Sequence, residues 1–85
     1  MQTNIEERVR TILAEQFCVE AGEIDLAANL EDAYTSDSLD LLEVTMTVED
    51  EFGIEIPDET MWAMKTGQQI VDYVTAAVSE KATAA

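Results

Sequence analysis

The run Asp37-Ser38-Leu39-Asp40-Leu41-Leu42-Glu43-Val44-Thr45-Met46-Thr47-Val48-Glu49-Asp50-Glu51-Phe52-Gly53 reads as one helix with two apolar sides. At ~100° per residue, Leu41, Val44, Val48 and Phe52 gather on one side, the spacing of a face packed on a core. Leu39, Leu42 and Met46 stand at i, i+3 and i+7 and form a second stripe, bordered by Glu43, Glu49 and Asp50. Asp37 is placed as the N-cap, with Asp40 three residues on as in a variant capping box. Gly53 follows the last periodic residue as a C-cap. A small bundle buries one broad face of a helix. The second stripe is therefore either more core, on a central helix, or a docking surface with an apolar centre and an acidic rim. The latter suits transient partners, because charge steers the encounter and the apolar patch supplies contact.

Outward from this helix, three more segments carry a helical period. From about Thr3 to Phe17, the residues Ile5, Val9, Ile12, Leu13 and Phe17 share a stripe, with Glu6 and Glu7 at the end a helix dipole favours for acids. Pro57-Asp58 opens a short segment reaching about Met64. Thr66-Gly67-Gln68-Gln69 is a T-x-x-Q capping box, followed by Ile70, Val71, Val74, Ala77 and Val78. Between the first and second helices, about 18–36 is a long loop by the usual prior, which Ile24, Leu26 and Leu30 can peg onto the core. The KATAA tail is expected to fray. No strand alternation competes, so the expected architecture is all-α: a four-helix bundle of three longer helices and one short one, with a long loop between helices one and two. The chain is expected to be one domain over 1–85, ordered over about 3–79.

Charge narrows the function. Nineteen Asp and Glu stand against four Lys and Arg, a formal net charge of −15 at pH 7. No basic residue lies between Arg10 and Lys65, a stretch holding 15 of the 19 acids. Unaided binding to nucleic acid or to an anionic membrane needs the opposite surface. Yet 47% of the residues are hydrophobic, too many for a disordered acidic tail. The chain has no His, which excludes a histidine base or ligand, and its single Cys18 excludes an internal disulfide and a multi-cysteine zinc site. No metal site is expected. The acids do not follow the spacing of a calcium-binding loop. No run approaches the ~20 apolar residues of a membrane span. The N-terminus MQTNIEERVR does not read as a secretory or organelle signal, so a cytoplasmic protein is the expectation.

Ser38 stands where the long loop meets the second helix. Alone, a Ser there reads as an ordinary cap. It has no His in the chain and no Lys nearby in sequence, so an activated nucleophile is not expected. A modified Ser is different, since a phosphodiester at a helix N-terminus meets unpaired N–H groups and the positive dipole end. Asp37 and Asp40 would oppose that anion, or hold a metal or a basic residue of a modifying enzyme.

The run Asp37-Ser38-Leu39-Asp40 resembles the DSLD attachment motif of acyl carrier proteins. IEERVRTILAEQF at 5–17, VEDEFGIEIPDE at 48–59 and QIVDYV at 69–74 are similar to the bacterial fatty-acid carrier, so the resemblance covers roughly residues 3–78. A lone DSL is a weak signal. DSLD heading an acidic helix and followed by EFGIEIPDE is a strong one.

The resemblance implies a carrier and not an enzyme. Ser38 would accept covalent 4′-phosphopantetheine from coenzyme A, with Asp37 beside it, through a phosphopantetheinyl transferase. The cofactor's thiol would then hold acyl groups for enzymes of fatty-acid, polyketide or related lipid synthesis. It also implies that Asp37, Leu39, Leu42, Glu43, Met46 and Glu49 meet basic docking patches on those enzymes. Val44, Val48, Phe52, Ile56, Met64 and Val71 would line an interior acyl pocket. The carrier is expected to act as a monomer. Cys18 is not the reactive thiol on this view, but a small, half-buried residue near a helix end.

Three departures point to a specialised carrier. Tyr34-Thr35-Ser36 stands where the family usually has Leu-Gly-Ala, which should alter the loop before Ser38. Cys18 replaces a common helix-ending glycine, so the first helix is expected to end differently. Thr60-Met61-Trp62-Ala63-Met64 is less acidic than usual, and Trp62 is either a core cover or a contact for a dedicated partner. The alternatives are a D-alanyl or peptidyl-type carrier, or an acidic interaction module with no prosthetic group.

Overall fold

The protein's computed structural model describes residues 5–34 and 38–84, and the side chains of all of these except Tyr34, Ser38 and residues 80–84. Its helices are α1 (Ile5–Phe17), α2 (Leu30–Tyr34), α3 (Ser38–Phe52), α4 (Asp58–Ala63) and α5 (Gly67–Ala84). The expected all-α architecture with three longer helices is observed. Among the described residues there is no strand, only an isolated antiparallel bridge between Asn29 and Thr66.

The stripe read in α1 buries Val9, Ile12 and Leu13, joined by Ala14. α1 packs against both α3 and α5. Their contributions to the same core are Val44 and Val48 from α3, and Ile70, Val71 and Val74 from α5. Each such aliphatic side chain contributes about 1.5–3 kcal/mol by leaving water. Both arginines of α1 are engaged. Arg8 donates to the Glu51 carboxylate at 2.7 Å and to the Glu51 carbonyl at 3.1 Å, while its guanidinium lies 4.4 Å from the centre of the Phe52 ring. Arg10 pairs with Glu6 at 3.2 Å and donates to the Ile24 carbonyl at 2.5 Å.

α1 ends on Cys18 with φ 58°, and the Val19 N–H donates to the Ala14 carbonyl at 3.0 Å. α3 ends on Gly53 with φ 63°, and the Ile54 N–H donates to the Glu49 carbonyl at 3.2 Å. These are the same left-handed cap closed by the same six-to-one bond. Cys18 therefore does not end α1 differently; it adopts the conformation a glycine would, at a steric cost glycine lacks. Nor is it half-buried, because its side chain is exposed.

The long loop is pinned as expected, with Ile24, Leu26 and Leu30 all buried. It also holds local structure absent from the sequence reading: a 3₁₀ turn over Ala21–Glu23 and the short α2. Asn29 Oδ1 accepts from the Glu31 N–H at 2.9 Å and from Asp32 at 3.3 Å, an N-cap that accounts for α2. The loop is tied to the connection between α4 and α5: Leu30 N–H donates to Lys65 O and Gln68 N–H to Leu26 O, each at 2.9 Å. The approach is close at Gly67, where an added Cβ would come within 2.7 Å of the Leu26 side chain.

The T-x-x-Q box forms: Gln69 N–H donates to Thr66 Oγ1 at 3.2 Å, and Thr66 N–H to Gln69 Oε1 at 3.0 Å. α5 continues to Ala84, through residues read as fraying, since Ala and Lys are good helix formers. Pro57 precedes α4 in the extended conformation, and Met64 closes it.

Candidate functional site

Helix α3 begins at Ser38, so this residue's backbone stands at the positive end of a 15-residue helix. The proposed N-cap Asp37 lies outside the described residues, as do Thr35 and Ser36. The first turn also holds Asp40. Its Oδ1 accepts from Gln16 Nε2 at 3.0 Å, and the same amide donates to Glu43 Oε1 at 2.8 Å. One α1 side chain thus ties down two carboxylates of α3's first two turns. Sequence reasoning missed Gln16, because nothing local to α1 marks an amide that reaches across to another helix.

The two-sided reading of α3 can be checked directly. Val44 and Val48 are buried, and Leu41 and Phe52 pack at the edge of the core. Leu39, Leu42 and Met46 are 61%, 40% and 56% exposed, so the second stripe is not core. Glu43 and Asp50 are exposed beside it. Glu49 differs: its carboxylate accepts from the Ile56 N–H at 2.7 Å and so fastens the link between α3 and α4. Met61 on α4 and Met64, which closes it, are buried while Trp62 is 47% exposed, so the core cover is the methionine pair.

The six residues expected to line an acyl pocket belong to one continuous interior. Val44, Val48, Ile56, Met64 and Val71 are buried in the core cluster, and Phe52 packs on it from the side under Arg8. Thr45, on the same helix as Val44 and Val48, is also buried, and its Oγ1 has no hydrogen-bond partner. The sequence reading gave Thr45 no role.

No group of three or more acids or cysteines among the described residues is disposed to hold a metal ion. No helix among them is long and apolar enough to cross a membrane. A phosphodiester on Ser38 fits its surroundings: a long helix offers its amide end, and the acid of that helix's first turn, Asp40, is already bound by Gln16.

The profile of a family described as the phosphopantetheine attachment site matches residues 7–74. Among solved structures, the chain is similar to the acyl carrier protein from Enterococcus faecalis, with a TM-score of 0.74 and 32% identity. That match covers 86% of this chain and 92% of the other. The group such a domain carries is covalent 4′-phosphopantetheine, and its work is carriage, not catalysis. With its attachment-site profile and its bundle in agreement, the chain belongs to the acyl carrier protein family.

Proposed function

We propose that Ser38 is the attachment residue and that the chain delivers acyl thioesters to enzymes of fatty-acid, polyketide or related lipid synthesis. The observation that carries this reading is the position of Ser38 at the head of α3, the helix whose outer side exposes Leu39, Leu42 and Met46. In loading, Ser38 Oγ forms a bond to phosphorus as the phosphoanhydride of coenzyme A breaks. Adenosine 3′,5′-bisphosphate leaves, and the hydroxyl proton passes to the transferase. When bound, the group supplies a terminal thiol that holds acyl groups as thioesters. The helix end offers the phosphodiester its N–H groups, and Asp37 precedes the attachment residue in the sequence.

Leu39, Leu42 and Met46 serve as the apolar centre of the docking surface, with Glu43 on its rim, and Asp37 is a further recognition residue. Glu49 contributes from its place at the α3–α4 link, and Trp62 extends the contact onto α4 for a dedicated partner. The partners are a phosphopantetheinyl transferase and acyl-transferring or synthase enzymes with basic patches. The interior around Val44, Val48, Phe52, Ile56, Met64 and Val71 takes up the acyl chain. The carrier works as a monomer in the cytoplasm.

Intact mass after incubation with a phosphopantetheinyl transferase and coenzyme A tests the reading. The mass should rise by one phosphopantetheinyl group, and Ser38→Ala should abolish the gain. No gain in the parent protein sinks it. The acyl group found on protein from the native host separates a lipid carrier from a D-alanyl or peptidyl one.

A further inference from the structure

Thr45 is the one buried polar residue of the described core, only 5% exposed, on the same side of α3 as Val44 and Val48. A threonine inside a helix has an easy way to satisfy its hydroxyl, by donating to the carbonyl four residues back. Thr11, Thr47 and Thr75 all do so, to Glu7, Glu43 and Val71 at 3.0, 3.0 and 2.7 Å. Those on α1, α3 and α5 whose hydroxyls are bonded are exposed and could have relied on solvent. Thr45 cannot reach solvent, and its Oγ1 has no partner. A buried hydroxyl left unpaired is costly, and valine has nearly the same shape without that cost. Val44 and Val48, two of the residues proposed to take up the acyl chain, stand one before and three after it on the same helix and are buried in the core.

We infer that Thr45 is a specificity residue for acyl chains that carry an in-chain oxygen, a hydroxyl or a keto group, over fully saturated ones. This rests on the carrier reading and deepens it. Thr45 lies seven residues beyond Ser38, about 10 Å along the helix, on the side of α3 that faces the interior. A hydroxyl both donates and accepts, so it serves either kind of oxygen. A site holding such a group favours the ligand that completes the bond, because the analogue without oxygen leaves the hydroxyl unpaired. A wholly apolar interior would have the opposite preference, since it must desolvate the oxygen without return.

The test loads Ser38 from saturated, 3-hydroxy and 3-oxo acyl-coenzyme A of equal chain length, confirms loading by mass, and compares melting temperatures. In the parent protein the oxygenated chains should raise the melting temperature more than the saturated one. In Thr45→Val the order should reverse, and in Thr45→Ser, which keeps the hydroxyl, it should stay as in the parent. The same order in the parent and in Thr45→Val overturns the assignment of Thr45 while leaving the carrier reading intact. Failure of the parent to gain mass overturns both.

Discussion

The side-chain amide of Gln16 lies 3.0 Å from the carboxylate of Asp40, joining α1 to the first turn of α3. With its second contact at Glu43, it holds two acids together on a chain already at −15. Gln16→Glu replaces the donor with a third carboxylate of the same shape. The melting temperature should fall by several degrees at low salt, and most of the loss should return at high ionic strength. Gln16→Leu should lose stability without that salt rescue. Equal salt dependence in the two variants would show that the amide does not mediate between the charges.

The two matching helix ends predict opposite substitutions. Cys18→Gly relieves a left-handed non-glycine residue and should stabilise the protein by about 1 kcal/mol. For a domain of this size that is about 4–8 °C in melting temperature. Gly53→Ala imposes the same strain on α3 and should cost a similar amount. Thermal unfolding monitored by circular dichroism reads both, and a Cys18→Gly protein that melts lower would contradict the cap geometry.

Arg8 donates from Nε and Nη2 to one oxygen of the Glu51 carboxylate and lies stacked over Phe52. Arg8→Lys keeps the charge but loses the fork and the planar stack. Since the pair is partly exposed, the ion pair itself is worth under about 1 kcal/mol. Both Arg8→Lys and Arg8→Ala should therefore melt lower than the parent, with lysine recovering less than half of the loss. Full recovery by lysine would mean that charge alone matters.

Salt and Mg²⁺ should each raise the melting temperature by relieving self-repulsion, with Mg²⁺ effective at lower ionic strength. A flat response to both would show that the clustered acids cost the fold little.

Leu42→Glu and Met46→Glu change side chains that are already exposed, so melting should move little. Acyl transfer by a native partner enzyme should fall about tenfold or more in kcat/KM, equivalent to ~1.4 kcal/mol. Trp62→Glu should do the same only with the dedicated partner. Unchanged transfer in all three would remove the docking role of this surface.

The helices were legible where period and punctuation agreed. Thr66 with Gln69, and Gly53 after Phe52, mark their helix ends as read from the sequence. The two stripes of α3 also separated by spacing alone, because a 3.6-residue period assigns each apolar residue a direction. α2 was hidden by its brevity, although Asn29 followed by Glu31 and Asp32 was a usable start signal. Cys18 misled because its residue type predicts against the conformation that the closing bond to Ala14 enforces. Gln16 and Thr45 could not be found from pattern, since one depends on a contact between distant helices and the other on a bond that is missing.

Both arginines of α1 are spent on internal contacts, Arg8 at the end of α3 and Arg10 on the loop. They are not available to offer a sister molecule a counterion for its acidic helix. Crowded copies should therefore repel one another and queue singly at a cationic enzyme mouth, each vacating it before the next arrives.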